Sequence, residues 1–303
     1  MNKFIVTTTI NKPTEALKKY SKLADWKLIV VLDKKTPDFK LKNSIILNCS
    51  DQEKISKKLS DLIGWNCIQR RNFGFLKAIE LEADIVATID DDNIPLKGWG
   101  SDLSLLHEKK FLTKHYSKTY FDPIFVTNHR NLWHRGFPIQ LLNQREIIKS
   151  EMKRESFDIK ADFWNGDPDI DSICRMEYAP ECNFKNKYFP FFSNKISPFN
   201  SQNTFMKANV LNDYFLFPNI GRMDDIWGSY YLQSLGYKVC YDKPSVYQKR
   251  NPHNLTVDFN NEIIGYQNNI ELLEQITKNP DNISNFVPKN SMKAFDIYRR
   301  IIN

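Results

Sequence analysis

The chain of 303 residues carries 43 Lys and Arg against 36 Asp and Glu, a formal net charge of +7. Hydrophobic content of 41% with 26% charged residues is that of a folded globular protein, which excludes intrinsic disorder. The longest apolar run, residues 28–32, ends at Asp33 and falls far short of the roughly 18 residues a membrane span requires. The apolar part of the first seven residues is too short for a secretory signal and reads as a strand. Five scattered cysteines with no C-x-x-C spacing suggest neither a disulfide framework nor a zinc site, and they fit a reducing cytoplasm. Basic residues are spread, with no run longer than two, so no nucleic-acid-binding stripe is expected, although a small anionic ligand suits the charge.

The first third alternates strand and helix signals. Residues 3–9 are β-branched and read as a first strand. Residues 13–24 place Ala16, Leu17, Tyr20 and Leu23 at helical spacing behind Pro13. Residues 27–32 and 44–47 read as further strands, residues 51–62 and 73–81 as helices, and residues 84–89 as a buried strand. Strands alternating with helices predict a mostly parallel sheet with helices on both faces and ligands at the carboxyl ends of its strands. Beyond about residue 110 the periodicity weakens, and residues 186–200 read as an aromatic-rich connecting loop. A helix over 224–235, a strand over 237–241 and tail helices over 260–277 and 291–302 complete the prediction.

Two local patterns carry chemistry. The apolar strand ending at Ile89 runs directly into Asp90-Asp91-Asp92-Asn93, and Pro95 then stops regular structure. Three adjacent carboxylates repel unless a partner neutralises them. Hard oxygen ligands at a strand end suit Mg²⁺ or Mn²⁺; a solvated acidic turn is the plainer alternative. Before that strand, Arg71 and Asn72 open a helix in Arg71-Asn72-Phe73-Gly74-Phe75-Leu76-Lys77-Ala78. A helix N-terminus with an Arg fork attracts phosphate, while Gly74 equally suits packing against the sheet.

These features, with Thr7-Thr8-Thr9 ending the first strand, resemble a GT-A glycosyltransferase. Three downstream strings narrow the resemblance: Trp164-Asn165-Gly166-Asp167-Pro168-Asp169-Ile170-Asp171, Arg222-Met223-Asp224-Asp225-Ile226-Trp227-Gly228-Ser229 and Gln248-Lys249-Arg250-Asn251-Pro252-His253-Asn254. They are similar to those of the STELLO-like family, which is related to the reversibly glycosylated polypeptides of plants. The resemblance implies an α/β GT-A fold, Rossmann-like, with a short C-terminal helical tail. Residues 1–254 would form the catalytic domain, about 1–110 binding the nucleotide-sugar and about 111–254 the acceptor, with 255–303 as the tail.

The resemblance further implies that Asp90, Asp92 and His253 hold Mn²⁺ or Mg²⁺. Thr7, Thr8, Thr9, Asp33, Arg71, Asn72, Asp90 and Asp91 would bind the nucleotide-sugar, and Trp164 and Asp167 the acceptor. Asp225, with Asp224 as competitor, would be the general base of an inverting transfer to an acceptor hydroxyl. By residue chemistry alone, Thr7–Thr9 are also ordinary strand residues and His253 a loop histidine. One of the Asp224-Asp225 pair could cap the following helix, and 166–169 is a turn-forming string. The amphipathic segment 291–300 could pack on the core or touch a membrane surface. The expectation is a cytoplasmic enzyme, possible contact with the inner membrane included, that contributes to a bacterial surface glycan. A nucleotide-sugar mutase and a non-catalytic nucleotide-sugar-binding regulator are the alternatives.

Overall fold

The computed structural model describes residues 1–250 and 254–302. Four parallel strands open the chain: β1 (Lys3–Thr9), β2 (Lys27–Leu32), β3 (Ser44–Leu47) and β4 (Ile85–Ile89). Between them lie α1 (Glu15–Tyr20), α2 (Cys49–Ile63) and α3 (Arg71–Glu80). Local chemistry sets the helix starts. Thr14 caps α1 by accepting from Leu17 N, and Asn48 with Asp51 forms a reciprocal capping box on α2.

The chain continues through β5 (Asn93–Pro95), α4 (Ser104–His107), β6 (Lys110–Tyr116), β7 (Lys149–Glu155), β8 (Ile159–Gly166) and α5 (Ser172–Tyr178). It ends with β9 (Phe191–Ser193), β10 (Asn203–Lys207), α6 (Asp224–Ser234), β11 (Val239–Gln248), α7 (Leu255–Lys278) and α8 (Lys289–Ile302). One sheet runs β3-β2-β1-β4-β10-β8-β11-β9-β6-β7, with β5 pairing β11. The α/β class expected from the sequence is present. Parallel pairing is continuous from β3 to β4; beyond it, β10 enters antiparallel and makes the remainder mixed.

Helices cover both faces of the parallel half. On one face, Gly74 of α3 sits so close to the sheet that an added Cβ would lie 2.4 Å from Val6 Cγ1. On the other, Tyr20 of α1 meets Trp99 edge-on at 4.8 Å, and Trp99 packs on Phe205 of β10 at 4.9 Å. β1 lies between β2 and β4, so the chain reverses its direction of winding there. A cleft opens at such a switch point beyond the strand carboxyl ends.

Two expectations need correction. The region beyond residue 110 holds regular strands, and 186–200 includes β9 rather than only a loop. β8 escaped detection because its sequence IKADFWNG buries charges: Lys160 Nζ lies 2.5 Å from Asp162 Oδ1 and 3.2 Å from Asp242 Oδ2. The apolar face of α8 is already used, since Phe295 stacks on Phe215 and Tyr298 donates to Leu211 O. That packing agrees with the core-packing reading of residues 291–300. Among the described residues, no helix is long and apolar enough to cross a membrane.

Candidate active site

A cavity of about 320 Å³ opens at the carboxyl ends of β1, β2 and β4. Thr8, Thr9 and Asn11 supply one wall, Asp33 and Arg70 another, and Asp90, Asp91 and Asp92 the side facing the rest of the molecule. Asp33 is fixed by two backbone donors, Lys34 N at 2.6 Å and Cys67 N at 3.1 Å. Arg70 is spent largely on the scaffold. Its guanidinium lies 3.6 Å from the Trp65 ring centroid, its Nε donates to Gln52 Oε1 and its Nη1 to Ser60 Oγ. Arg70 is fully buried and its Nη2 has no hydrogen-bond partner among the described residues, so the side chain belongs to the scaffold behind the cavity.

The acidic triplet divides its work. Asp91 ties the loop after β1 in place: Thr9 Oγ1 donates to its Oδ2 at 2.5 Å, Asn11 Nδ2 donates to the same oxygen, and Thr14 Oγ1 donates to its carbonyl. Burial pushes its carboxyl above the usual range. Asp90 takes Arg71 Nη2 at 2.7 Å, while Arg71 Nη1 donates to Ser201 O and Oγ. Arg71 is fully buried, so it positions Asp90 rather than presenting a fork to phosphate. Asn72 is likewise internal; its amide exchanges hydrogen bonds with the Leu216 backbone.

Asp90 and Asp92 also line a second cavity of about 240 Å³, with Arg135, Asp169, Asp224, Asp225 and Arg250 on its other walls. Arg135 is the hub. Its Nε donates to Asp169 Oδ1 at 2.9 Å, its Nη1 to Asp225 Oδ1 at 3.1 Å and to Arg222 O. Burial works against the ionised form of Asp169, but the Arg135 charge and hydrogen bonds outweigh it and hold Asp169 far below the usual carboxylate range. Asp225 accepts in addition from Ser201 N and Oγ. Its neighbour Asp224 accepts from Gln69 Nε2 at 2.9 Å. Burial first, then the adjacent Asp225 charge, pushes the Asp224 carboxyl up to about 7. Neither caps α6, because the residue before the helix is Met223 and no side-chain cap forms.

The remaining expected residues scatter. Thr8 and Thr9 face the first cavity, whereas Thr7 is fully buried in β1 and its hydroxyl donates to Thr8 O. Trp164 is 3% exposed and stacks on Phe163 at 5.1 Å, inside the core rather than against a ligand face. Asp167 is half-buried between Arg175 and Arg250. His253 lies outside the described residues. Asp90 and Asp92 fit a hard divalent cation in donor chemistry, being carboxylates on residues that line both cavities. Among the described residues, no group of three or more His, Cys, Asp and Glu side chains is arranged to hold a metal. Sequence reasoning missed Arg70, Arg135 and Asp169. Asp169 and Arg250 lie inside the strings that carried the resemblance; Arg135 lies in none, and only its burial beside two carboxylates reveals it.

No family model matches the chain. It is 26% identical over 273 residues to Probable glycosyltransferase STELLO1 of Arabidopsis thaliana, covering 81% of this chain and 35% of that protein. The same figures hold for Probable glycosyltransferase STELLO2 of the same plant. Among solved structures, glucosyl-3-phosphoglycerate synthase from Mycobacterium tuberculosis, in complex with Mn²⁺, UDP and phosphoglyceric acid, is 13% identical with a TM-score of 0.44, covering 91% of this chain and 78% of that one. A197 from STIV is 10% identical with a TM-score of 0.36, covering 81% and 83%. The chain is thus similar in sequence to the STELLO-type glycosyltransferases over four-fifths of its own length, and it spans about a third of theirs.

Proposed function

We propose that the chain is a metal-dependent, inverting glycosyltransferase that moves a sugar from a nucleotide-sugar to an acceptor hydroxyl. The observation that carries the reading is that Asp90 and Asp92 border both cavities at once. The nucleotide occupies the cavity beside Thr8, Thr9 and Asp33, and the acceptor occupies the cavity beside Asp224. Residues 1–110 then form the donor half, residues 111–254 the acceptor half, and residues 255–303 a helical tail whose α7 packs on the acceptor half and whose α8 also packs on α2 and α3 of the donor half. The two Arabidopsis relatives, both probable glycosyltransferases, support the glycosyl-transfer part of this reading.

Asp90, Asp92 and His253 hold Mn²⁺ or Mg²⁺ in this reading, and the bound ion would neutralise charge gathering on the departing diphosphate. Arg71 keeps the Asp90 carboxylate aimed at the cavity. Asp224 takes the proton of the attacking hydroxyl. Its raised proton affinity suits a base working near neutrality, where readiness to accept and fraction ionised are both substantial. Asp225 is unsuited to that step because Arg135 and Ser201 occupy its oxygens. A bacterial cytoplasmic role in surface glycan synthesis rests on composition alone.

A panel of nucleotide-sugars incubated with Mn²⁺, with and without acceptor glycans, tests the reading, and titration calorimetry with nucleoside diphosphate accompanies it. Metal-dependent binding and donor turnover support it. Ring isomerisation of the donor without acceptor makes the protein a mutase; binding without any turnover makes it a regulator. Equal diphosphate affinity with and without chelator removes the metal from the scheme.

A further inference from the structure

β7 ends the sheet, and among the described residues no strand pairs with its outer edge. Such an edge presents unpaired backbone donors and acceptors, and proteins usually guard it with charge. β7 is charged, but in an order that is self-complementary. Its sequence Lys149-Ser150-Glu151-Met152-Lys153-Arg154-Glu155 alternates so that Lys149, Glu151, Lys153 and Glu155 share one face. We propose that β7 pairs antiparallel with β7 of a second copy of this chain, with Met152 on the two-fold axis, so that the sheet continues across a homodimer.

The register follows from charge and symmetry. A two-fold axis perpendicular to the sheet keeps each face on the same side, so only even shifts bring like-facing residues opposite one another. With Met152 on the axis, Lys149 meets Glu155, Glu151 meets Lys153, and each pair occurs twice. A shift of two residues either way sets Glu151 against Glu151 and Lys149 against Lys153, or Lys153 against Lys153 and Glu151 against Glu155. Like charges directly opposite are destabilising, so one extended register is selected and its neighbours are rejected. On the opposite face the axis brings Met152 against Met152; each is 64% exposed in the single chain. Phe111 of β6, 65% exposed, and Ile148 immediately before β7, 56% exposed, lie on that face. These apolar side chains lie open beside a strand whose charges are all matched only in the full-length alignment. The sheet order also places β7 at the end opposite β1–β3, so pairing leaves both cavities open.

Sedimentation equilibrium of the full chain, at concentrations up to about 100 µM to capture weak association, reads the outcome. The parent should sediment at twice the mass of one chain. Glu151→Lys alone and Lys153→Glu alone each place like charges opposite one another and should give monomers. An equimolar mixture of these two variants restores Lys–Glu pairing in both positions and should give heterodimers, and the double variant should again form homodimers. Melting curves establish that each variant is folded; if a single variant fails to fold, the double variant still decides the question. A parent that stays monomeric overturns the proposal and makes the charges an edge guard. Single variants that remain dimeric, or a mixture that does not associate, overturn the register and the proposal with it. Neither outcome bears on donor or acceptor binding, so failure here is distinguishable from failure of the proposed activity.

Discussion

Arg71 and Asp90 form an ion pair, Nη2 to Oδ1 at 2.7 Å, in which the guanidinium is 1% exposed and the carboxylate 30% exposed. The buried partner is therefore the scaffold and the half-open one is the working group. Arg71 Nη1 anchors the same unit to Ser201 on the loop before β10, so one side chain sets the relation between the β4 end and the wall of the second cavity.

Arg71→Lys accordingly affects more than ligand affinity. Lysine cannot reach Asp90 and both Ser201 oxygens from one planar fork. Leaving Asp90 or the Ser201 oxygens without their buried hydrogen-bond donor costs about 1–3 kcal/mol. The variant should melt at a clearly lower temperature and lose metal-dependent nucleotide binding as well. Unchanged melting with weakened binding would restore the direct phosphate contact expected from the sequence.

Gly221 couples the tail to the site. Its φ is +59°, and a Cβ there would lie 2.0 Å from Asn261 O of α7. Next to it, Arg222 donates from Nε to Glu262 Oε1 at 2.7 Å, and Arg222 O accepts from Arg135. Gly221→Ala must push α7 away or distort the turn carrying Arg222 and Asp224, at a cost on the order of 3 kcal/mol. Melting curves and acceptor KM should both worsen. A change in stability alone would show that α7 does not set the geometry of the second cavity.

The parallel half of the fold was legible because its strands are short apolar runs punctuated by caps and turns. β1 to β4 fall where apolar periodicity placed them. The mixed half was not, because its strands hide their burial: β8 carries a buried Lys160–Asp162 pair, and β7 is charged on both faces. The triplet at the β4 end was readable from its position after a buried strand. Roles within it were not, because Arg71 and Asn72 look like ligand donors in sequence while burial turns both inward. Arg135 lies about ninety residues from Asp225, and no local pattern announces such a pairing.

Asp225 should behave as a structural residue. Arg135 is buried and its charge is balanced by Asp169 and Asp225 together. Asp225→Asn leaves part of that charge unmatched and weakens the bonds from Ser201, costing about 3 kcal/mol. Denaturant unfolding should show the loss. Turnover measured well below the new melting temperature should fall far less than in the Asp224 variant.

Asp224 gives the prediction that separates catalysis from stability. Burial and the neighbouring Asp225 raise its proton affinity in the folded protein from the ordinary 3.8 to about 7. A carboxyl raised in this way favours folding when protonated. Its contribution is fully present below about pH 4 and is lost as pH rises through about 7. The same ionisation produces the base, so turnover should rise over the upper part of that window while this component of stability declines. Asp224→Asn keeps an oxygen for Gln69 Nε2 and never ionises. It should therefore be more stable than the parent at pH 8, with a flatter dependence of stability on pH between 4 and 7. Its turnover should drop by roughly a hundredfold, the usual loss for a general base, and lose the inflection near pH 7. Unfolding free energies and rates measured across pH 4 to 9 decide the matter. A variant that retains the parental rate and its inflection would move the base to another acidic residue of the second cavity.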